Sequence, residues 1–166
     1  MNEAKTQTAI FAAGCFWGVQ YYFDQVPGVL ETEVGYIGGH TENPSYEAVC
    51  SHSTGHAEAV KILFDPKKTN YEKLLEQFFY MHDPTQLNRQ GPDVGDQYRS
   101  AIFYVGEIQK KAAEQLIAKL NKSDFKDKKI VTTLENGKKF WPAEDYHQKF
   151  TERTGRGMCH TPYKEM

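Results

Sequence analysis

The segment at residues 12–18, Ala-Ala-Gly-Cys-Phe-Trp-Gly, constrains the fold most, because it joins an apolar run to an amphipathic one. Residues 8–13 carry no charge and predict a buried β-strand, whereas apolar residues recur at helical spacing across residues 16–26. Cys15 therefore lies at a strand-to-helix junction. Unpaired N–H groups and the positive end of the helix dipole favour a thiolate there, so we expect a lowered pKa and a reactive thiol. The alternative is an inert core thiol, because cysteine is among the most buried residue types.

Composition and charge narrow the class of protein. The chain has 166 residues, which fits one domain with a fair core. Its net charge of −2, from 20 basic and 22 acidic residues, gives no reason to expect nucleic-acid binding. No apolar run has the length of a membrane span, and the N-terminus lacks the apolar region of a secretory signal. Three cysteines, an odd and small number, do not suit a disulfide-stapled secreted fold, so we expect a cytoplasmic protein, which we take to be a monomer.

The order of the predicted elements is β-α-β-β-α-β-α-β. One helix follows the capping-box spacing at residues 69–72 and stops near His82, and Asn136-Gly137 predicts a tight hairpin between the last two strands. This order predicts an α+β fold, a two-layer α/β sandwich with a ferredoxin-like mixed sheet core and long irregular loops. The predicted strands span residues 8–13, 30–36, 57–65, 100–105, 129–135 and 138–141, and the other helices span 16–26, 46–49, 106–121 and 143–150.

Glu58 is the most informative residue after Cys15. Side chains alternate between the two faces of a strand, so Glu58 shares its face with Val60, Ile62 and Phe64. Desolvation on that apolar face would raise the pKa of the carboxyl and keep it protonated, as a general acid requires. The alternative is that the side chain swings into solvent or pairs with a lysine or arginine.

Further candidates lie in loops and in the tail. Tyr46, Asp93 and Tyr98 stand in or beside irregular segments, the last two in a polar loop at residues 84–99 long enough to indicate a function. The tyrosines also fit ordinary packing roles, and Arg99 near Asp93 and Asp96 could simply form a structural ion pair. We expect residues 151–166 to be a flexible tail of the single domain 1–166, carrying Cys159 between glycines and His160. Cys159 is our preferred resolving cysteine and Cys50 the second candidate, because the strand that follows Cys50 would hold it in place.

A metal site is the weaker interpretation of the histidines and cysteines. Their spacing lacks the pairing of a zinc finger and the His-Glu-x-x-His pattern of a metalloprotease, so we expect none. The residues concerned are Cys50, His52, His56, Cys159 and His160.

Several motifs, taken together, resemble the A-type peptide methionine sulfoxide reductases over residues 8–148. Their number and common order make the resemblance specific, and no B-type partner domain is present. The matching stretches are residues 14–18 (Gly-Cys-Phe-Trp-Gly), 35–39 (Gly-Tyr-Ile-Gly-Gly), 44–50, 54–60, 82–85, 88–100 and 140–148.

The resemblance implies an enzyme that reduces the S epimer of methionine sulfoxide, free or in proteins, and so repairs proteins after oxidative stress. Cys15 would attack the sulfoxide sulfur while Glu58 protonates the oxygen, and Cys15 would be left as a sulfenic acid. The resemblance also assigns Tyr46 and Tyr98 to hydrogen bonds with the oxygen, Phe16 and Trp17 to the substrate methyl group, and Asp93 to the order of the site.

Recycling follows from the same resemblance. Members of the family differ in their tail cysteines, and this chain has only Cys159 after the core. The implied route is a redox-active Cys15–Cys159 disulfide, which thioredoxin reduces. No metal or organic cofactor is implied.

Three rival functions remain open at this point. A thiol peroxidase would need neither the aromatic side chains nor Glu58. A cysteine hydrolase or acyl transferase would need a histidine beside Cys15 and would turn over without an external thiol. A redox-sensing or peptide-binding module would be oxidised once, without turnover.

Overall fold

The computed structural model describes residues 6–51, 53–137 and 139–155. Two short 3₁₀ helices cover Asp96–Tyr98 and Asp145–His147. The strands are β1 (Gln7–Ala13), β2 (Val29–Ile37), β3 (Ala57–Phe64), β4 (Arg89–Gln90), β5 (Asp93–Val94), β6 (Ser100–Tyr104), β7 (Thr133–Asn136) and β8 (Trp141–Pro142). The α-helices are α1 (Phe16–Asp24), α2 (Tyr46–Cys50), α3 (Tyr71–Met81), α4 (Glu107–Leu120) and α5 (Phe150–Thr154).

Six strands form one mixed sheet in the order β7-β6-β1-β3-β2-β8. The four central strands are antiparallel, and with α1 after β1 and α3 after β3 they make the ferredoxin-like order. The predicted α+β sandwich is therefore confirmed. Because β1 and β3 are antiparallel neighbours, the end of β1 lies beside the start of β3. This register brings Cys15, just after β1, close to Glu58, the second residue of β3.

The helices α1, α3 and α4 cover one face of the sheet. The core on that face is rich in aromatic residues, and the rings of Phe11 and Phe78 have centroids 5.0 Å apart. The opposite face carries a smaller core, which combines alanines with Ile10, Ile37 and Phe103 and packs against partly buried Phe140. Val60, Ile62 and Phe64 of β3 belong to the helix-side core, as the alternation predicted.

The Asn136-Gly137 hairpin prediction is wrong. Strand β7 lies at one edge of the sheet, parallel to β6, and β8 lies at the opposite edge beside β2. Gly137 serves a close approach instead, because a Cβ atom there would lie 2.9 Å from the carbonyl oxygen of Phe103. The same dipeptide suits a turn and a crowded backbone position, and local sequence does not distinguish the two.

The last predicted helix, residues 143–150, is also wrong. The Gln148 side chain accepts a hydrogen bond from the Val34 amide and donates one to the Val34 carbonyl, both at 3.0 Å. This long-range pairing with β2 keeps the segment from forming one continuous helix. It contains only a 3₁₀ turn, followed after Lys149 (φ +57°) by helix α5. The tail predicted from Thr151 begins as this helix, with Thr151 buried, and Cys159 lies outside the described residues.

Two smaller predictions also differ from the structure. The helical spacing of apolar residues in α4 predicts an inward-facing Ile108, but this side chain is 85% exposed, and Ala113 and Leu120 supply the buried face. Helix α3 is capped by Asn70, whose side chain accepts from the Lys73 amide, rather than by Thr69. Within the part of the chain that the structure describes, none of the helices combines the length and the apolar character needed to cross a bilayer.

Candidate active site

Cys15 stands at the turn from β1 into α1. Gly14 makes this turn with φ +99°, a conformation that favours glycine, and Cys15 is the N-cap residue of α1. Cys15 is partly exposed as a residue, although its sulfur is largely desolvated. The fold thus places the sulfur between the end of a buried strand and the first amides of a helix.

Glu58 is almost completely buried, with 1% of its surface exposed. Its Oε1 atom accepts a hydrogen bond of 3.2 Å from the backbone amide of Phe16, the residue after Cys15. Its Oε2 atom is buried and has no hydrogen-bond partner among the described residues, although the Gln97 side chain lies beside the carboxyl. One carboxyl oxygen is therefore fixed to the turn that carries Cys15, and the other has no such bond.

Burial sets the protonation state of Glu58. It raises the pKa of the carboxyl to about 8, against the opposing effects of the Phe16 amide and the Gln97 side chain. The negative charge of Asp93 adds to the rise. At neutral pH most of the Glu58 carboxyl is therefore protonated, as the apolar strand face predicted.

The predicted lowering of the Cys15 pKa is wrong. Burial raises the pKa of this thiol well above its ordinary value, and the negative charge of Glu58 raises it further. The amides of Trp17 and Gly18 in the first turn of α1 oppose the rise without reversing it. Desolvation thus exceeds the helix-terminus effect, so Cys15 is a thiol at neutral pH.

An aromatic cluster flanks Cys15 on its helix side. The Trp17 indole Nε1 donates a hydrogen bond of 2.9 Å to Nδ1 of His147, and the Trp17 ring stacks on Phe150 with centroids 3.9 Å apart. The buried Phe16 ring lies 5.2 Å from His147. Burial lowers the pKa of His147, which keeps the imidazole neutral and able to accept from Trp17.

Tyr46 and Tyr98 stand on the carboxyl side of the site. Burial raises the pKa of both phenols, and the charge of Glu58 acts on both. The Tyr46 hydroxyl is also hydrogen-bonded to the thiol of Cys50, whose sulfur accepts a second bond of 3.3 Å from Gln97 Nε2. The structure therefore brings together all the predicted site residues that it describes: Cys15, Phe16, Trp17, Tyr46, Glu58, Asp93 and Tyr98.

Sequence reasoning missed four residues of this arrangement: Tyr36, Gln97, Glu144 and His147. Glu144 accepts from the Tyr36 hydroxyl at 2.9 Å and from the Tyr46 amide at 3.0 Å. All four lie in stretches that carried the family resemblance, which was the available signal. Alternation places Tyr36 in a strand, but no periodicity predicts the contacts of these four residues, because each contact joins distant segments.

The residues considered for a metal have other roles where the structure shows them. His56 accepts from the Gly39 amide at Nδ1 and bonds the Thr41 carbonyl through Nε2, so both ring nitrogens are occupied. No group of three histidine, cysteine, aspartate or glutamate side chains suited to a metal occurs among the described residues. His52, Cys159 and His160 lie outside them.

Comparison with known proteins agrees with this geometry. The family model described as peptide methionine sulfoxide reductase matches residues 7–166. The peptide methionine sulfoxide reductase MsrA of Methanothermobacter thermautotrophicus is 50% identical over 161 residues, 96% of this chain and 95% of that protein. Methionine sulfoxide reductase A of Corynebacterium diphtheriae superposes with a TM-score of 0.82 at 33% identity, covering 97% of this chain and 85% of that one.

Saccharomyces cerevisiae Mxr1 provides two further structures. The reduced form has a TM-score of 0.88 at 31% identity and covers 99% of this chain and 95% of that one. Mxr1 in complex with Trx2 has a TM-score of 0.63 at 22% identity, covers 90% and 87% of the two chains, and shows the fold alone.

The fold, the site and these matches define a thiol-dependent oxidoreductase. The chain belongs to the peptide methionine sulfoxide reductase family, which confirms the resemblance drawn from the sequence.

The raised pKa of Glu58 predicts a pH-dependent stability. Between its ordinary pKa of 4.5 and about 8, the folded state keeps a proton that the unfolded state has lost. Stability from this group is therefore complete below 4.5 and is lost as pH rises through 8, by up to about 1.4 kcal/mol per pH unit. Glu58→Gln should remove this loss, as measured by urea unfolding from pH 5 to pH 9.

Glu33→Gln, which removes a carboxylate from the neighbouring strand, is the matched control and should leave the loss in place. A free-energy difference between wild type and Glu58→Gln that stays constant with pH would contradict the raised pKa.

Proposed function

We propose that the protein reduces the S epimer of methionine sulfoxide, free or in proteins, with Cys15 as nucleophile and Glu58 as general acid. The observation that carries this proposal is the buried, protonated Glu58 carboxyl bonded to the amide that follows Cys15. A sulfoxide oxygen is a poor leaving group until it is protonated. A carboxyl that keeps its proton beside a thiol meets that requirement.

The first step takes the oxygen from the substrate. Glu58 and the Cys15 thiol each give a proton to the sulfoxide oxygen, the sulfur of Cys15 forms a bond to the substrate sulfur, and the S–O bond breaks with loss of water. Water then adds to the Cys15 sulfur as the S–S bond breaks, which releases the thioether and returns the proton to Glu58. In the net reaction the thiol is oxidised to a sulfenic acid and the sulfoxide is reduced to a thioether. The thiol begins protonated, because burial and the charge of Asp93 disfavour the thiolate even while Glu58 keeps its own proton.

The site has an apolar side and a hydrogen-bonding side, and this asymmetry supports reduction of a single sulfoxide epimer. Phe16 and Trp17 offer apolar surface for the substrate methyl group, and Tyr46, Tyr98 and Glu58 offer hydrogen-bond donors for the oxygen. A pyramidal sulfoxide satisfies both sides at once in one configuration only. Asp93 orders the site in this proposal, since its charge disfavours ionisation of both Cys15 and Glu58.

Recycling in this proposal uses the tail of the domain, residues 151–166. The Cys159 thiol attacks the sulfenic sulfur of Cys15, a disulfide forms and water leaves. Thioredoxin then reduces the disulfide, and support comes from Mxr1, a protein of the same fold solved in complex with Trx2. Thioredoxin chemistry suits a reducing, cytoplasmic setting, in which we propose that the protein acts as a monomer.

The first test is turnover of the separated sulfoxide epimers with dithiothreitol. We expect methionine from the S epimer and none from the R epimer, with activity abolished in Cys15→Ser. Parallel assays test the alternatives. Reduction of hydrogen peroxide tests for a peroxidase, turnover of acyl substrates tests for a hydrolase, and oxidation without substrate tests for a sensor. Faster reduction of peroxide than of either epimer would contradict the proposed function.

Glu58→Gln should slow the single-turnover reduction by about 10²- to 10⁴-fold, because it removes the proton donor. In the wild type this rate should fall as pH rises through about 8, where Glu58 ionises, and the variant should lack that fall. Rapid-quench measurement of methionine formed per enzyme gives both quantities. Glu33→Gln is the control, and equal rates for wild type and Glu58→Gln would remove the acid role.

Cys159→Ser should preserve one turnover per enzyme and block turnover with thioredoxin, because the sulfenic acid then has no resolving thiol. Peptide mapping after substrate treatment without reductant should find Cys15–Cys159 in the wild type. A Cys15–Cys50 bridge, or an unbridged Cys15 sulfenic acid, would show that the assignment of Cys159 is wrong.

A further inference from the structure

Glu144 is a carboxylate whose two oxygens bind groups from two different elements. Oε1 accepts from the Tyr36 hydroxyl in β2, and Oε2 accepts from the Tyr46 backbone amide at the start of α2. Burial alone would raise its pKa, but the Tyr46 amide and the Tyr36 hydroxyl lower it below its ordinary value. Glu144 is therefore an anion held by two donors.

The segment that carries Glu144 is itself fixed to the sheet. Strand β8 pairs Trp141 with Tyr36, and the Ala143 amide donates to the Val34 carbonyl at 2.9 Å. Three residues after Glu144, His147 packs against the Tyr46 ring with centroids 4.6 Å apart. The carboxylate thus stands at the edge of the sheet, where its segment is hydrogen-bonded to β2, and it binds the start of α2.

Helix α2 needs such an anchor because it has only five residues. A helix this short is not stable through its own hydrogen bonds. Its local cap is Ser45, whose hydroxyl accepts from the Ala48 amide. The Glu144 bond to the Tyr46 amide joins residues 98 positions apart, so it fixes where the helix start lies relative to the sheet.

Tyr36 connects the same carboxylate to the proposed acid. In the register of β2 and β3, Tyr36 is the direct cross-strand partner of Glu58. Its ring also lies 5.7 Å from Phe16, whose amide donates to Glu58. One anion therefore ties the start of α2 to the strand pair that carries the general acid.

We propose that Glu144 is a positioning residue of the reductase, which acts by holding Tyr46 at a fixed place beside Glu58 so that the phenol donates to the sulfoxide oxygen. The inference rests on the proposed function and adds a residue to it. Glu144 does not touch the reacting atoms in this arrangement, because its oxygens are committed to Tyr36 and to the Tyr46 backbone. Its effect on the reaction passes through the Tyr46 side chain.

The test is a double-mutant cycle on the single-turnover rate with the S epimer. Glu144→Gln keeps the shape of the side chain but replaces one carboxyl oxygen by an amide N–H₂ group. This group faces either the Tyr36 hydroxyl or the Tyr46 amide, both of them donors, so one hydrogen bond is lost. We expect the rate to fall about tenfold, the loss typical of one hydrogen bond. In a Tyr46→Phe background the same substitution should have almost no effect, because the hydroxyl it positions is absent.

Glu47→Gln is the matched control, since it removes an exposed carboxylate from the first turn of the same helix and should leave the rate unchanged. Tyr36→Phe removes the other donor to Glu144 and should show the same coupling to Tyr46→Phe, which keeps the test valid if Glu144→Gln is unstable. Circular dichroism and thermal unfolding report whether each variant folds.

Multiplicative effects of Glu144→Gln and Tyr46→Phe, or a wild-type rate in folded Glu144→Gln, would overturn the inference while the reductase activity stands. If the wild-type protein does not reduce the S epimer, the proposed function is overturned instead, and the inference with it. Low activity that tracks loss of folding in both Glu144→Gln and Tyr36→Phe would assign Glu144 to stability alone and also overturn the inference.

Discussion

The hydrogen bond from the Phe16 amide to Glu58 Oε1 is the interaction on which the site depends. It joins the turn after β1 to the start of β3, two segments that the antiparallel register already places side by side. Because it occupies one carboxyl oxygen deep in the protein, it orients Glu58 without exposing it to water. Cys15 and the proposed acid are thus positioned by one buried contact between backbone and side chain.

Burial has opposite consequences for reactivity at the two groups. Because burial raises the pKa of both groups, Glu58 still holds a proton that it can donate at neutral pH. Cys15 also keeps its proton and is therefore the poorer nucleophile. With its proton in place, Cys15 is in the less reactive form, because the thiolate is the nucleophile. Part of the rise at Cys15 comes from the charge that Glu58 carries when ionised, so the protonation states of the two groups are linked.

The sequence predicted most of the fold and much of the site, for identifiable reasons. Alternation along β3 placed Glu58 on the buried face, and the change of periodicity at Gly14 placed Cys15 at a helix start. The edge of the sheet was not predictable in this way, because Gln148 and Glu144 are held by distant backbone groups in β2 and α2. The Cys15 pKa was mispredicted for a related reason: the helix terminus is a local feature, whereas desolvation depends on everything packed around the sulfur.

The protonation of Glu58 is most directly measured by difference infrared spectroscopy of its carboxyl stretching band, with Glu58→Gln spectra subtracted from those of the wild type across a pH titration. A buried acid poised for oxygen transfer predicts a protonated band that persists at neutral pH and disappears with a midpoint near 8. A band already lost well below neutral pH, as for an ordinary glutamate, would contradict the central role given to this carboxyl.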